Sequence, residues 1–135
     1  QAIKAGRHLA MRIDSLPTEA TTFVESRLLG QASVFPLAIL KIAELTRCPV
    51  VPIACTRSAS NIKMIAHDQI YVPDKSNEAN IKAAKAIDAV LSKNIFDHPS
   101  QYSAWFGVLQ KWKLAEEITG LANMSHPVGL DSAHA

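Results

Sequence analysis

Only two cysteines occur in the 135 residues, and Cys48 and Cys55 both stand among apolar neighbours. A pair so placed reads as two reduced core thiols, not as the framework of a disulfide-stapled secreted domain. No apolar run approaches the roughly 20 residues that a membrane-spanning helix requires, and the start carries no signal-peptide pattern. An excess of one charge is lacking too: 14 Lys and Arg stand against 12 Asp and Glu, a net +2. That balance gives no basis for nucleic-acid binding. Also missing are a glycine-rich phosphate loop after a strand, a Cys/His spacing suited to zinc, and a Gly-x-Ser-x-Gly elbow. His67 and Asp68 are adjacent and not helically spaced, so neither a metal nor a cofactor is expected. There is no internal repeat and no low-complexity tract.

What is present is an ordinary globular composition, 48% hydrophobic and 19% charged, sufficient for one domain with one core. The domain is expected over residues 1–122, with 123–135 a flexible tail carrying His126, Pro127 and Gly129. Its strongest local signal runs from Leu37 to Arg57. There Leu37, Leu40, Ile42, Ala43 and Leu45 fall near helical spacing, while Lys41, Glu44 and Arg47 can face water. Pro36 suits a first turn. Pro49 excludes further helix, and Val50, Val51, Ile53, Ala54 and Cys55 make a nearly continuous apolar run, the pattern of a strand covered on both faces. Helix, tight turn and buried strand imply an α/β fold: a single mixed β-sheet centred on 50–55 and flanked by helices near 37–47 and 77–95.

Around that unit the pattern predicts a helix end at Gly6, a short strand over His8 to Ile13 closed by Asp14, and a loop over 15–22. A second strand runs from Phe23 to Leu29, followed by a loop from Gly30 to Pro36. Ile62, Met64 and Ala66 alternate as a further strand, continued by Ile70 to Val72. Ser76 opens a long helix whose apolar stripe is Ile81, Ala84, Ile87, Ala89, Val90 and Leu91, with Lys82, Lys85, Asp88 and Lys93 outward. Tyr102, Trp105, Phe106, Leu109 and Trp112 follow as a crowded aromatic stretch, then a short helix over 114–121. Those rings, beside Lys111 and Lys113, suit either packing on the sheet or a membrane interface where lysines meet anionic lipid.

The order of these features resembles a known family. Met11 to Asp14 ends a strand in an acid, the segment VESRLLGQASVFP follows, then a helix, then LTRCPVVPIACTR, and finally HPSQYSAWFGVLQKWK. This is similar to the lysophospholipid acyltransferase superfamily, and most like its bacterial lipid A lauroyl/myristoyl acyltransferase branch. Thr46, Arg47, Cys48, Pro49, Val50, Val51 and Pro52 match the family's strand signature, with Arg47 where the family usually has Gly. Pro99, Gln101, Tyr102, Trp112 and Lys113 match its closing segment with a few extra residues between. The resemblance spans residues 2–113.

It implies transfer of a fatty acyl chain from a carrier thioester to a glycolipid or phospholipid hydroxyl, at the cytoplasmic face of a membrane and in peripheral contact with it. The candidate substrate-binding residues are Asp14, Arg27, Gly30 and Arg57. By the resemblance Asp14 supports the acceptor or orients a cation, the alternative being a loop cap. Arg27 and Arg57, with Arg12, fall near the ends of neighbouring strands as anion-binding or plain surface residues, and Gly30 allows a backbone turn. Guanidinium forks bind phosphate or carboxylate bidentately, and the loop after Gly30 would edge the acyl groove. The family's general base, a His-x-x-x-x-Asp/Glu motif, belongs upstream of the Asp14 region. No residue is therefore assigned as catalytic. His126 and Asp131 have that spacing but lie in the tail, beyond the closing segment. With Gln1 at its start in place of Met, the chain is expected to be the C-terminal part of such an enzyme and inactive alone, its partner being the missing N-terminal part. The alternative is a non-catalytic subunit that keeps the fold within a larger assembly.

Overall fold

A computed structural model describes residues 3–16 and 22–124. After a 3-10 turn over Ile3–Ala5 the elements are β1 (Phe23–Leu28), β2 (Gln31–Pro36), α1 (Leu37–Thr46), β3 (Ile53–Arg57), β4 (Ile62–Ala66), α2 (Asn77–Asp97) and α3 (Trp105–Met124). The class is α/β, but the expected single mixed sheet is replaced by two antiparallel hairpins, β1-β2 and β3-β4.

The first hairpin corrects the loop expected over Gly30–Pro36, which is β2. Its register pairs Val24 with Phe35, Ser26 with Ser33 and Leu28 with Gln31, and Val24, Ser26 and Leu28 are all buried, the period-two signature of a strand with one face on the core. The connection is two residues, Leu29 and Gly30, both at positive φ (51° and 80°). That is the conformation of a type I′ turn, whose twist matches paired strands. Gly adopts it freely, whereas Leu does not; the Leu29 amide is held by donating to Ser92 Oγ on α2 at 2.9 Å. A Leu-Gly turn lacks the usual Asn-Gly or Asp-Gly marker, which is why the sequence reads as a loop there.

Ser76 caps α2 as expected, its hydroxyl accepting from the Ala79 amide. α2 buries Ala83, Ala84, Ile87, Asp88, Leu91 and Ile95 and packs on β1, while α3 packs chiefly on β2. One apolar cluster joins Val24, Phe35, Leu40, Ala84 and Ile87. A second joins Leu28, Leu91, Ile95 and Val108. α3 begins at Trp105, so the aromatic stretch and the helix expected over 114–121 are one element.

The second hairpin departs furthest from expectation. Val50 makes only an isolated bridge to Ile70, and β3 starts at Ile53. Pro52 and Ala54 are buried, but Val51 is 39% and Ile53 56% exposed. The run is therefore not covered on both faces: β3 has one partner strand, and the side carrying Ile53 and Cys55 lies open. Cys55 is an exposed free thiol and Cys48 a half-buried one, which moves Cys55 out of the expected core. The strand expected over His8–Ile13 is also absent; residues 7–13 lack regular structure, and no strand among the described residues pairs with them. No described helix is long and apolar enough to cross a membrane.

α1 ends where Arg47 takes the left-handed conformation (φ 55°), its amide donating to the carbonyls of Ala43 and Glu44. A side chain in that region costs roughly 1–2 kcal/mol that glycine avoids. Arg47→Gly is therefore expected to raise unfolding stability by about 1 kcal/mol in urea titrations, the reverse of the usual effect of introducing glycine.

Candidate functional site

Four elements converge on one buried charge pair. Lys111 of α3 and Asp88 of α2 have side chains that are 0% exposed, with Nζ 3.4 Å from Asp88 Oδ1. Nζ also donates to the Ile13 carbonyl at 2.8 Å and lies 5.3 Å from the centre of the Phe35 ring, within range of a cation-π contact. The second Asp88 oxygen accepts from Ser26 Oγ on β1 at 2.7 Å. Burial holds the Asp88 carboxyl above its ordinary range, against the opposing pull of Lys111 and Ser26.

Neither residue was assigned this place by pattern. Asp88 was expected to face outward on α2 and Lys111 to lie beside interfacial aromatics; both are interior. The signal was present: Asp88 sits four residues after Ala84 and three before Leu91, on the buried stripe, and Lys111 sits three after Val108 and four before Ala115.

Ile13, whose carbonyl Lys111 holds, lines a cavity of about 270 Å³. Its lining combines Met11 to Asp14, Pro52 to Cys55 of the second hairpin, Leu91 and Asn94 of α2, and Tyr102. Asp14 accepts from Arg12, Nε to Oδ1 at 3.1 Å. Its main-chain carbonyl sits hard against α3 at Gly107, where an added Cβ would lie 2.3 Å from the Asp14 oxygen. Tyr102 stacks edge-on against Trp105 at 5.2 Å, and burial, aided by Asp14, pushes its phenol up to about 12. It is protonated at neutral pH and cannot serve as a base there.

The expected substrate-binding residues do not assemble. Asp14 lines the cavity, but Arg27 turns back to donate to the Gly30 carbonyl at 3.1 Å, so that Gly30 shapes the β1-β2 turn. Arg57 is exposed at the end of β3 and is held through its backbone: its amide donates to Gln101 Oε1 at 2.7 Å, and Gln101 Nε2 donates to its carbonyl at 2.9 Å. No recorded contact joins Arg12, Arg27 and Arg57. Among the described histidines, His8, His67 and His98, none lines the cavity. His126, Asp131 and the rest of the expected tail from 125 onward lie outside the described residues. The described residues hold no cluster of three or more His, Cys, Asp or Glu that could bind a metal. No family model matches the chain, and no curated protein matches it by sequence.

Two tests address this geometry. Removing one member of a buried ion pair strands the other, at a cost of about 3–5 kcal/mol. Asp88→Asn and Lys111→Met are each expected to fall in that range in urea melts, and the double variant to recover part of the loss, with a coupling of about 2–3 kcal/mol. Because the folded chain holds the Asp88 proton more tightly than the unfolded chain, this carboxyl favours folding most below the ordinary carboxylate range. Its contribution declines as pH rises through the raised folded value, and Asp88→Asn is expected to lose that slope.

Gly107→Ala is expected to destabilise by about 1–3 kcal/mol through overpacking. The Asp14 and Arg12 amide resonances should shift in the same variant, as the carbonyl is displaced.

Proposed function

We propose that the chain is part of a lipid acyltransferase-like protein and supplies one wall of its substrate cavity without the general base. One observation carries this reading: segments that bear the resemblance, Met11 to Asp14, Pro52 to Cys55 and Tyr102, line a single cavity although they are far apart in sequence. The donor would be an acyl-carrier thioester and the acceptor a glycolipid or phospholipid hydroxyl. With that reading goes a peripheral position on the cytoplasmic face of a membrane, where exposed Phe106 and Leu109 of α3, near Lys113, offer an apolar and cationic contact.

Acyl transfer to a hydroxyl needs a base within hydrogen-bond reach of the attacking oxygen, a contribution of about 10²–10⁴-fold. The phenol of Tyr102 is held protonated, Asp14 is engaged by Arg12, and no described histidine faces the cavity. The second reading, a non-catalytic subunit retaining the fold, draws on the same lack of a base.

Purified chain incubated with acyl carrier thioester and lipid acceptor is expected to give no acyl transfer by mass spectrometry. Millimolar acceptor headgroup or thioester should nonetheless shift the NMR signals of Asp14, Cys55 and Tyr102. Absence of any shift would remove the acyltransferase reading and favour the subunit. Turnover abolished by His126→Ala would instead place the active site in the tail and refute the division of labour proposed here.

A further inference from the structure

The outer edge of β3 is open, and its geometry is that of a sheet waiting for another strand. In the β3-β4 ladder, the Pro52 carbonyl accepts from the His67 amide, and Ser58 and Asn61 exchange both hydrogen bonds. The register pairs Ala54 with Ile65 and Thr56 with Lys63. Residues 52, 54, 56 and 58 therefore direct their main-chain groups at the partner strand, and Ile53, Cys55 and Arg57 direct theirs the opposite way, as antiparallel alternation requires. At Arg57 that outward pair is taken by the side-chain amide of Gln101, one acceptor and one donor at 2.7 and 2.9 Å, in the place where a neighbouring strand's peptide group would sit. Ile53 and Cys55 have no corresponding partner among the described residues, and both line the cavity.

We propose that this edge binds an extended peptide strand by β-augmentation, entering the cavity between β3 and Met11 to Asp14. Main-chain hydrogen bonds to Ile53 and Cys55 would supply affinity, continuing the ladder that Gln101 already extends at Arg57. One side of the added strand meets Val90 and Leu91 on α2, so its inward-facing alternate residues are apolar. Met11 to Asp14, a stretch without regular structure, line the same cavity as Ile53 and Cys55. A two-stranded sheet is marginal alone, and a third strand is the ordinary way such a ladder gains stability. The inference goes beyond the proposed acyl-transfer role and does not depend on it, since it stands on backbone geometry.

The test uses the full chain and a capped synthetic hexapeptide of alternating Thr and Val. In the free chain the Ile53 and Cys55 amides should exchange with solvent like loop amides, while Thr56 and Arg57 are protected. Saturating peptide is expected to slow exchange at Ile53 and Cys55 by at least about tenfold. A backbone N-methylated version of the peptide should not. Gln101→Ala should open the Arg57 amide, and the peptide should protect it again. Cys55→Pro, which removes only an outward donor, should abolish binding; should that variant fail to fold, the N-methylated peptide carries the same test. Slow exchange at Ile53 and Cys55 in the free chain, equal effects of both peptides, or protection that rises with protein concentration alone would overturn the proposal, the last by assigning the edge to self-association. Shifts caused by headgroup or thioester without peptide protection would leave the acyltransferase reading standing and remove this one.

Discussion

The Lys111 ammonium is taken wholly out of water, and the surrounding chain is arranged to compensate it. A buried cation loses hydration that only close opposite charge and donor-acceptor geometry can replace. Here the replacement comes from Asp88 of α2, the Ile13 carbonyl and the Phe35 ring of β2, with Ser26 of β1 holding the far oxygen of the carboxylate. Each of these elements must be in place for the others to be tolerated. The arrangement selects one seating of α3: the residue one turn earlier, Gly107, is pressed against the Asp14 carbonyl with no room for a side chain. The cavity wall at Met11 to Asp14 is thus positioned through the same helix that delivers the lysine.

The two hairpins show what that constraint does and does not reach. β1-β2 is gripped at its turn, where the Leu29 amide donates to Ser92 and Trp112 Nε1 donates to the Leu28 carbonyl at 3.1 Å, and its inner face closes on α2 and α3. β3-β4 has Ala54 and Pro52 packed inward but Ile53, Cys55, Ile62 and Met64 outward. Among the described residues, the Gln101 amide on the Arg57 backbone ties the distal end of β3 to the rest of the chain. The cavity lies between β3, the Met11 to Asp14 segment and α2, and the charged centre reaches it through the Ile13 carbonyl that Lys111 holds.

Asp14 enters the cavity with a guanidinium already on its carboxylate, and Tyr102 with its proton retained. Arg27 and Gly30 belong to a turn, and Arg57 to a strand end. The geometry is that of a framed recess with polar groups at its rim, in which the reactive base has no described candidate.

Local order along the chain was set by sequence alone. The α1 stripe of Leu40 and Ala43, the Ser76 cap of α2 and the existence of a strand over Ile62 to Ala66 each follow from spacing within a few residues, although Ile62, Met64 and Ala66 are exposed and Ile65 is the partly buried one. The α/β class follows from them. Tertiary structure decided which sides of those elements meet. Gln31 to Pro36 became a strand because β1 and two clamping helices hold Leu29 at a positive φ that the residue would not choose. His8 to Ile13 did not become one, because strand geometry needs a neighbour for its amides. Asp88 follows the pattern of an outward residue and Lys111 stands beside rings that suit either packing or a membrane interface, yet each is interior because the other is. Hydrophobic periodicity is a property of one element, but the neutralisation of a buried charge belongs to a pair 23 residues apart in sequence, and only the packed chain brings it together.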